Sequence, residues 1–384
     1  MTKQIVMLLS NAYRPDPRVQ REARGLTEAG YQVTIICWDR CAELPQNERD
    51  GQINIIRVTD VISSYGSGWR QLFYLPRFWR KAIKLARKLK PDVVHCHDLD
   101  TLYAGWQLKK QTNCALIYDA HEHYPALMSL YLPQFMTHAL VKWERWLRQH
   151  AEITITASSI LCDEFTKPPP TYTLGNYPEI DDFLQVHDED ALALRRTWGV
   201  NPDTLLVAYI GGFSRNRLLL PLIETAVSLP HVQFHLWGDG QQRKDVETAV
   251  SQHPNTHYHG WLPYKDLPLH FRAVDIIYYC LRQDYPGAIY NAPNTLPQAM
   301  AAARPIIASD IGDLGRMVGN TNCGILLSTT TPDTIAAAIR QLEPAAIREK
   351  LGKNGRFAAQ QTYNAHTTQQ QLIQIYQDLT GIPS

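Results

Sequence analysis

Residues 284–310 read DYPGAIYNAPNTLPQAMAAARPIIASD. The stretch opens as a proline- and glycine-rich loop, continues as a short helix over residues 294–303 and ends in a buried strand, 305–308. Ala292–Pro293 pins the loop, because the residue before a proline is pushed out of helical geometry. Asn294 or Thr295 is placed to cap the helix. The free N–H groups of such a first turn, at the positive end of the helix dipole, form a seat for phosphate. Gln298, one turn in, points from that end toward whatever the phosphate carries. Any strand–loop–helix–strand unit shares this outline, so the residues alone leave phosphate binding and plain structure both open.

Around this stretch the second half alternates. Strands are expected at 205–210, 232–237, 256–259, 276–280, 306–308 and 325–327, with helices between them, among them 218–228 and 332–342. The first strand opens into Gly211-Gly212-Phe213-Ser214-Arg215-Asn216-Arg217. Two glycines permit close backbone approach, and two arginines can grip phosphate oxygens through a planar fork. Gly238-Asp239-Gly240 closes the next strand at the same rim. The first half shows the same alternation: strands at 4–9, 32–38, 53–58, 92–96, 115–118 and 153–156, and a first helix over 17–29 that stops at Gly30. Such alternation implies parallel sheets covered on both faces. The first β-α turn lacks G-x-G-x-x-G, which argues against a dinucleotide-dependent oxidoreductase. The turn-rich LGNYPEIDDF, residues 174–183, marks the boundary. The expected domains are 1–178 and 179–362, followed by a glutamine-rich helical tail, 363–384, that caps its own domain or returns to the first.

The chain has 384 residues, enough for two domains. Its 38 basic and 37 acidic residues nearly cancel, which favours neither a nucleic acid nor an acidic partner. Seven scattered cysteines without a C-x-x-C pair argue against a disulfide framework or a zinc cluster and for a reducing compartment. No apolar run reaches the length of a spanning helix, and the start runs directly into a strand without a signal-peptide pattern, so a cytoplasmic location is expected.

In the first half, His95-Cys96-His97-Asp98 has a metal-like look, but successive strand residues face opposite ways and only His95 and His97 can converge. With no further His or Cys nearby in sequence, a strand-end loop at a ligand crevice is the preferred reading, with no metal. Tyr118-Asp119-Ala120-His121-Glu122-His123 follows the next strand in the same manner, making His121 and Glu122 site candidates. Residues 65–90, YGSGWRQLFYLPRFWRKAIKLARKLK, hold eight basic and no acidic residues, interleaved with Trp69, Phe73, Tyr74, Phe78 and Trp79. This composition suits an anionic membrane surface, and equally an ordinary surface helix packing its aromatics on the sheet. Residues 128–150 are a second aromatic-basic stretch.

Taken together, these motifs resemble the family 4 retaining glycosyltransferases over nearly the whole chain. Asp16-Pro17-Arg18-Val19, Arg21-Glu22-Ala23, Leu26, Gly30-Tyr31 and Val33 are similar to the D-P-R-V-x-R-E-A start of one branch. Val93–Asp98 resembles its V-(I/V)-H-x-H-D strand end, and Tyr118–Glu122 its Y-D-x-H-E. Asn176 takes the place of the inter-domain turn asparagine, His259-Gly260-Trp261-Leu262-Pro263 resembles the strand end that holds the nucleobase, and Asp275 lies in the A-D-(I/V) step. Pro293–Asp310 is similar to P-N-K-L-F-E-A-M-A-A-G-x-P-V-I-A-S-D. It departs at Thr295, where the family has lysine, and at Gln298, where a carboxylate holds the donor ribose. The first glutamate of E-x7-E falls at Tyr290. Arg217 takes the lysine place of the phosphate-binding pair, and the arginine place falls on Gly212, leaving Arg215 as a substitute.

The resemblance implies an α/β GT-B fold, two doubly wound Rossmann-like domains facing each other across a cleft. It implies a metal-independent hexosyltransferase that takes a nucleoside-diphosphate sugar as substrate, with UDP-sugar favoured and GDP-sugar next, and no cofactor. Gly211, Gly212, Asp239, Trp261, Leu262, Asn294, Thr295, Leu296 and Gln298 would bind the donor, and Arg215 and Arg217 its diphosphate. His121 would face the transferring sugar, with Arg18, His97 and Glu122 on the acceptor side. A glycan or lipid-linked acceptor at the inner membrane face, contacted through residues 65–90, completes the expectation; nucleic acid is not a partner. The rival readings are a non-catalytic binding partner with a degenerate donor site, and a sugar-nucleotide epimerase, which would need paired carboxylates.

Overall fold

Short apolar runs buried on both faces alternate with helices, as strands of a covered parallel sheet must. The computed structural model describes residues 2–14, 16–63 and 71–381. The first elements are β1 (Gln4–Leu9), α1 (Pro17–Glu28), β2 (Gln32–Trp38), β3 (Asn47–Asp50), β4 (Ile53–Val58), α2 (Gln71–Leu89), β5 (Val93–His97) and α3 (Leu99–Thr112). They continue through β6 (Ala115–Ala120), α4 (Tyr124–Met128), α5 (Gln134–Arg148), β7 (Ile153–Thr156), α6 (Ser159–Glu164) and β8 (Thr171–Thr173). The strands form one sheet in the order β3-β4-β2-β1-β5-β6-β7-β8. The β3–β4 pair is antiparallel. Polar, half-exposed β3 escaped the sequence reading because it has no apolar alternation to betray it.

The second series comprises α7 (Ile180–Leu184), α8 (Asp188–Thr197), β9 (Leu206–Ile210), α9 (Leu219–Thr225), β10 (Gln233–Trp237), α10 (Arg243–Val250), β11 (Thr256–Tyr258) and α11 (Leu267–Ala273). It ends with β12 (Ile276–Tyr279), α12 (Thr295–Ala301), β13 (Ile306–Ser309), α13 (Gly312–Thr321), β14 (Gly324–Leu327), α14 (Pro332–Gln341), α15 (Ala345–Gln361) and α16 (Ala365–Thr380). This sheet has the order β11-β10-β9-β12-β13-β14, with parallel pairing throughout.

The chain divides into two units: residues up to Gly175 together with those from Thr368 onward, and Asn176–Thr367. Most of α16 therefore lies in the first unit. Its Leu372, Ile375 and Tyr376 share a core with Ile5, Met7, Val19, Leu26 and Ile117. Tyr376 is fully buried, edge-on to Tyr31 with ring centroids 5.6 Å apart.

Each sheet has a place where strand order reverses, between β1 and β5 in the first and between β9 and β12 in the second. Ligands of open α/β sheets settle outside the carboxyl ends of strands at such points.

Two expected boundaries shift in ways that matter for the site. β5 runs to His97 and β6 to Ala120, and the ladder pairs His97 with Asp119. Both side chains are therefore fixed by the sheet rather than carried on strand-end loops. The helix expected over 294–303 is shorter, because Ala303 takes a left-handed φ of 55° that turns the chain into β13.

Candidate active site

In the second unit, the carboxyl ends of four adjacent strands and the start of α12 enclose a cavity of about 350 Å³. Ile210 ends β9 and Gly211 and Gly212 follow it, Trp237 ends β10 and Gly238 follows it, Trp261 and Leu262 come after β11, and Tyr279 ends β12. Asn291–Pro293, Asn294, Thr295 and Gln298 close it from the loop and helix side, and Arg217 projects into it.

The Arg217 guanidinium lies over the Tyr279 ring, 4.6 Å from its centroid. Its Nε and Nη1 are shielded from solvent and have no hydrogen-bond partner. A buried cation with unused donors costs free energy unless something anionic meets it.

Neither Asn294 nor Thr295 caps α12, contrary to expectation. Asn294 already has helical φ and ψ of −73° and −27°, which takes its side chain away from the first-turn amides. Its Oδ1 instead accepts from Asn176 Nδ2 at 2.9 Å, and Thr295 Oγ1 donates to the Ile210 carbonyl at 3.2 Å. The first turn thus keeps the amides of Thr295 and Leu296 clear of side-chain caps, and Pro297 removes the next donor. Thr295 and Gln298 are each 7 % exposed at the cavity wall, whereas the Leu296 side chain points into the core.

Not all the expected donor residues gather here. Arg215 is exposed and does not line the cavity. Asp239 is also outside it; its Oδ1 accepts from Gly240 N at 2.7 Å and its carbonyl accepts from Phe213 N at 2.8 Å, which braces the loop. Trp261 is 70 % exposed, an aromatic face held at the rim. Tyr279 and Trp237 went unnoticed in the sequence, because aromatics at strand ends read as core; Tyr264 comes from the turn after β11.

In the first unit a second constellation centres on Asp119, which sequence reading took only as part of a motif. Arg18 donates from Nη2 to Asp119 Oδ1 at 2.7 Å and from Nε to Glu22 Oε1 at 2.9 Å. His121 Nε2 lies 3.1 Å from Asp119 Oδ2 and 2.9 Å from His97 Nδ1. The His95 and His97 rings stack at 4.4 Å, and His95 Nδ1 meets the Tyr376 hydroxyl at 2.8 Å. Burial works against the Asp119 carboxylate, yet Arg18 and His121 hold it well below the usual range. Burial, then His95, pushes His97 down to about 4. Burial and Arg18 also oppose charge on His121, but Asp119 and Asp98 prevail and hold it up at about 9. Asp98 accepts from the His121 amide at 3.0 Å with a strained φ of 63° and ψ of 164°.

Arg18 and His97 are 8 % and 3 % exposed, so burial removes them from direct acceptor contact and makes them supports of Asp119 and His121. His121 is the accessible end of the cluster, and Glu122 beside it is exposed.

A histidine-rich patch backs the wall of the second unit's cavity. His235 Nδ1 and His259 Nε2 are 3.0 Å apart, and His259 stacks on Trp237 at 4.5 Å. Burial, then His257 and His270, pushes His259 down to about 4; burial, then His259, His257 and Arg195, pushes His235 down to about 2. Their folded values lie below the unfolded value of about 6.5. The neutral forms therefore stabilise the fold fully above that pH, and the contribution is lost as pH falls from there toward 4. We expect the melting temperature to fall between pH 7 and pH 5, and His259→Gln to flatten that dependence in a thermal-denaturation series.

Comparison with known proteins accords with both halves. The family model described as Glycosyltransferase Family 4 matches residues 18–170, and that described as Glycosyl transferases group 1 matches residues 205–343. An uncharacterized glycosyltransferase of Methanocaldococcus jannaschii is 21 % identical over 368 residues, covering 92 % of this chain and 91 % of its relative. Sucrose-phosphate synthase from Thermosynechococcus elongatus superposes with a TM-score of 0.83 at 20 % identity, over 99 % of this chain and 100 % of the other. Anabaena HepE, solved in complex with UDP, gives a TM-score of 0.75 at 16 % identity over 98 % and 100 % of the two chains. With one Rossmann-like unit matched by each model, the chain is a glycosyltransferase of the GT-B fold, its first unit similar to Glycosyltransferase Family 4 and its second to Glycosyl transferases group 1.

Proposed function

We propose that this glycosyltransferase moves a hexose from a nucleoside-diphosphate sugar, a UDP-sugar first and a GDP-sugar second, to a hydroxyl of a glycan or glycolipid, with retention and without metal or cofactor in the transfer. The observation that carries the reading is Arg217, whose unpartnered Nε and Nη1 share a cavity with Gly211, Gly212 and the uncapped start of α12. In this reading Trp261 and Leu262 flank the base and Gln298 accepts from a ribose hydroxyl, more weakly than a carboxylate would. Arg217 and the Thr295 and Leu296 amides take the diphosphate. The bond from the anomeric carbon to phosphate oxygen breaks while the acceptor oxygen bonds to that carbon on the same face. The acceptor proton passes to the leaving phosphate. Stabilising the departing charge is the main catalytic task. The acceptor is assigned to the first unit, where His121 is the accessible group.

The uridine preference is supported by HepE having been solved with UDP. A thermal-shift panel with UDP, GDP, ADP, CMP and NAD, with and without magnesium, tests the reading. At a hundred times its dissociation constant, UDP should stabilise the protein by about 2.7 kcal/mol, undiminished without magnesium. A response to GDP alone would reassign the base, and silence from all would remove the donor site.

For membrane contact, no described helix is long and apolar enough to cross a bilayer. Of the stretch 65–90, residues 65–70 lie outside the described residues. Within α2, Phe78 is fully buried and stacks on Trp38, and Trp79 packs on Tyr103, leaving Phe73 exposed. Around α4 and α5, Leu130, Tyr131, Phe135 and Trp146 are exposed in a segment that also carries Lys142 and Arg145. Docking on an anionic surface is thus better supported around α4 and α5 than by α2. Phe135→Ser should weaken co-sedimentation with phosphatidylglycerol vesicles several-fold; no effect removes this surface.

A further inference from the structure

We propose that Glu22, His95, His97 and Asp119 form a binding site for one divalent transition-metal ion in the first unit, apart from the donor chemistry. One ligand atom from each of the four lies within 4.8 Å of every other. Three of the residues present an atom that is shielded from solvent and has no hydrogen-bond partner: Glu22 Oε2, His95 Nε2 and His97 Nε2. Asp119 supplies the fourth, Oδ2, at 3.5 Å from His95 Nε2. That spacing is long for a hydrogen bond. It suits two ligands of one ion, because tetrahedral bonds of about 2.0–2.1 Å set neighbouring donors about 3.3–3.4 Å apart.

The opposite ends of the same side chains are already occupied, which is the arrangement that aims ligands at a metal. Arg18 holds Glu22 through Oε1 and Asp119 through Oδ1; Glu22 Oε2 is left without a partner, and Asp119 Oδ2, which meets His121 Nε2 at 3.1 Å, keeps a second lone pair for an ion. Tyr376 holds His95 Nδ1, and His121 meets His97 Nδ1. The rings come from alternate residues of β5, the carboxylates from α1 and β6, so all four positions rest on regular elements. Imidazole nitrogen with carboxylate oxygen is a set that suits zinc and its neighbours in the first transition row. Spacing alone argues against a metal here, because no third His or Cys stands nearby in sequence. The completing groups are carboxylates, 73 and 24 residues from His95 by numbering and joined to it only by the sheet and α1.

The test uses the full chain after chelator treatment. Calorimetric titration with zinc chloride should show one tight site per chain, and cobalt chloride should give the intense visible absorption of a tetrahedral complex. Glu22→Gln, nearly the same shape, should lower the affinity at least tenfold with its circular dichroism retained. His257→Gln, in the other histidine-rich patch, should leave the site intact. Absence of a tetrahedral cobalt spectrum in the wild-type protein overturns the proposal, and so does a site that survives Glu22→Gln but vanishes with His257→Gln. If Glu22→Gln fails to fold, the wild-type cobalt spectrum decides alone.

Discussion

Arg217→Ala should lower kcat by about 10²–10³-fold, the loss seen when one preorganised donor to developing charge is removed. The expectation rests on the geometry of one side chain. Its guanidinium is stacked on Tyr279, with Nε and Nη1 unpartnered at the cavity. Truncation removes the stacking contact, which is worth about 0.5–2 kcal/mol, together with the guanidinium's polar contacts to the Tyr209 and Tyr279 side chains. Thermal stability should therefore fall modestly, while the stabilisation by added nucleotide disappears. Arg217→Lys keeps the charge without the fork and should fall between the two. Initial-rate measurements with the donor identified by the nucleotide panel check the effect. Wild-type-like turnover in Arg217→Ala would sink the phosphate assignment, because Arg215, the alternative cation of the same loop, does not line this cavity.

Gly238→Ala should destabilise the second unit by about 3 kcal/mol or more, with a melting temperature lower by about 6 °C or more. Gly238 has φ of 151°, and a Cβ there would sit 1.9 Å from the Gly211 carbonyl oxygen and 2.7 Å from the Phe213 ring. The ring could shift, but the carbonyl belongs to the loop after β9, and the neighbouring Gly211 amide is bonded to the Trp237 carbonyl at 3.0 Å. Relief requires the ends of β9 and β10 to separate, which opens the cavity wall. Nucleotide binding should be lost together with stability. Gly212→Ala, whose Cβ meets nothing within 4 Å, is the matched control and should melt near wild type. Equal melting temperatures for the two variants would show that the wall is more compliant than its packing indicates.

Both outcomes turn on groups that differ in how openly the sequence declares them. The place of Arg217 was legible: it stands in a strand-end loop that opens with two glycines, and that loop lines the cavity. The parallel α/β fold was legible for a related reason. Apolar runs buried on two faces and separated by helices have few other solutions, and most strands fall within a residue or two of their expected limits. Short polar β3 was not, because pairing with β4, not composition, makes it a strand.

The Asp119 cluster marks the other limit. Its members lie at positions 18, 22, 95, 97, 119, 121 and 376, and local spacing relates only the pairs two or four apart. The family resemblance put Arg18 and His97 on the acceptor side, and residue type made Asn294 a helix cap. Sheet register set His97 opposite Asp119, α1 delivered Arg18 and Glu22, and α16 brought Tyr376 to His95. What the sequence alone determined here is whatever depends on neighbours along the chain: strand periodicity, the flexible glycines, the loop that presents Arg217. Which side chains are buried, which carbonyl takes the Thr295 hydroxyl, and where four ligand atoms converge were decided only by tertiary structure, because burial and long-range pairing are properties of elements meeting in space.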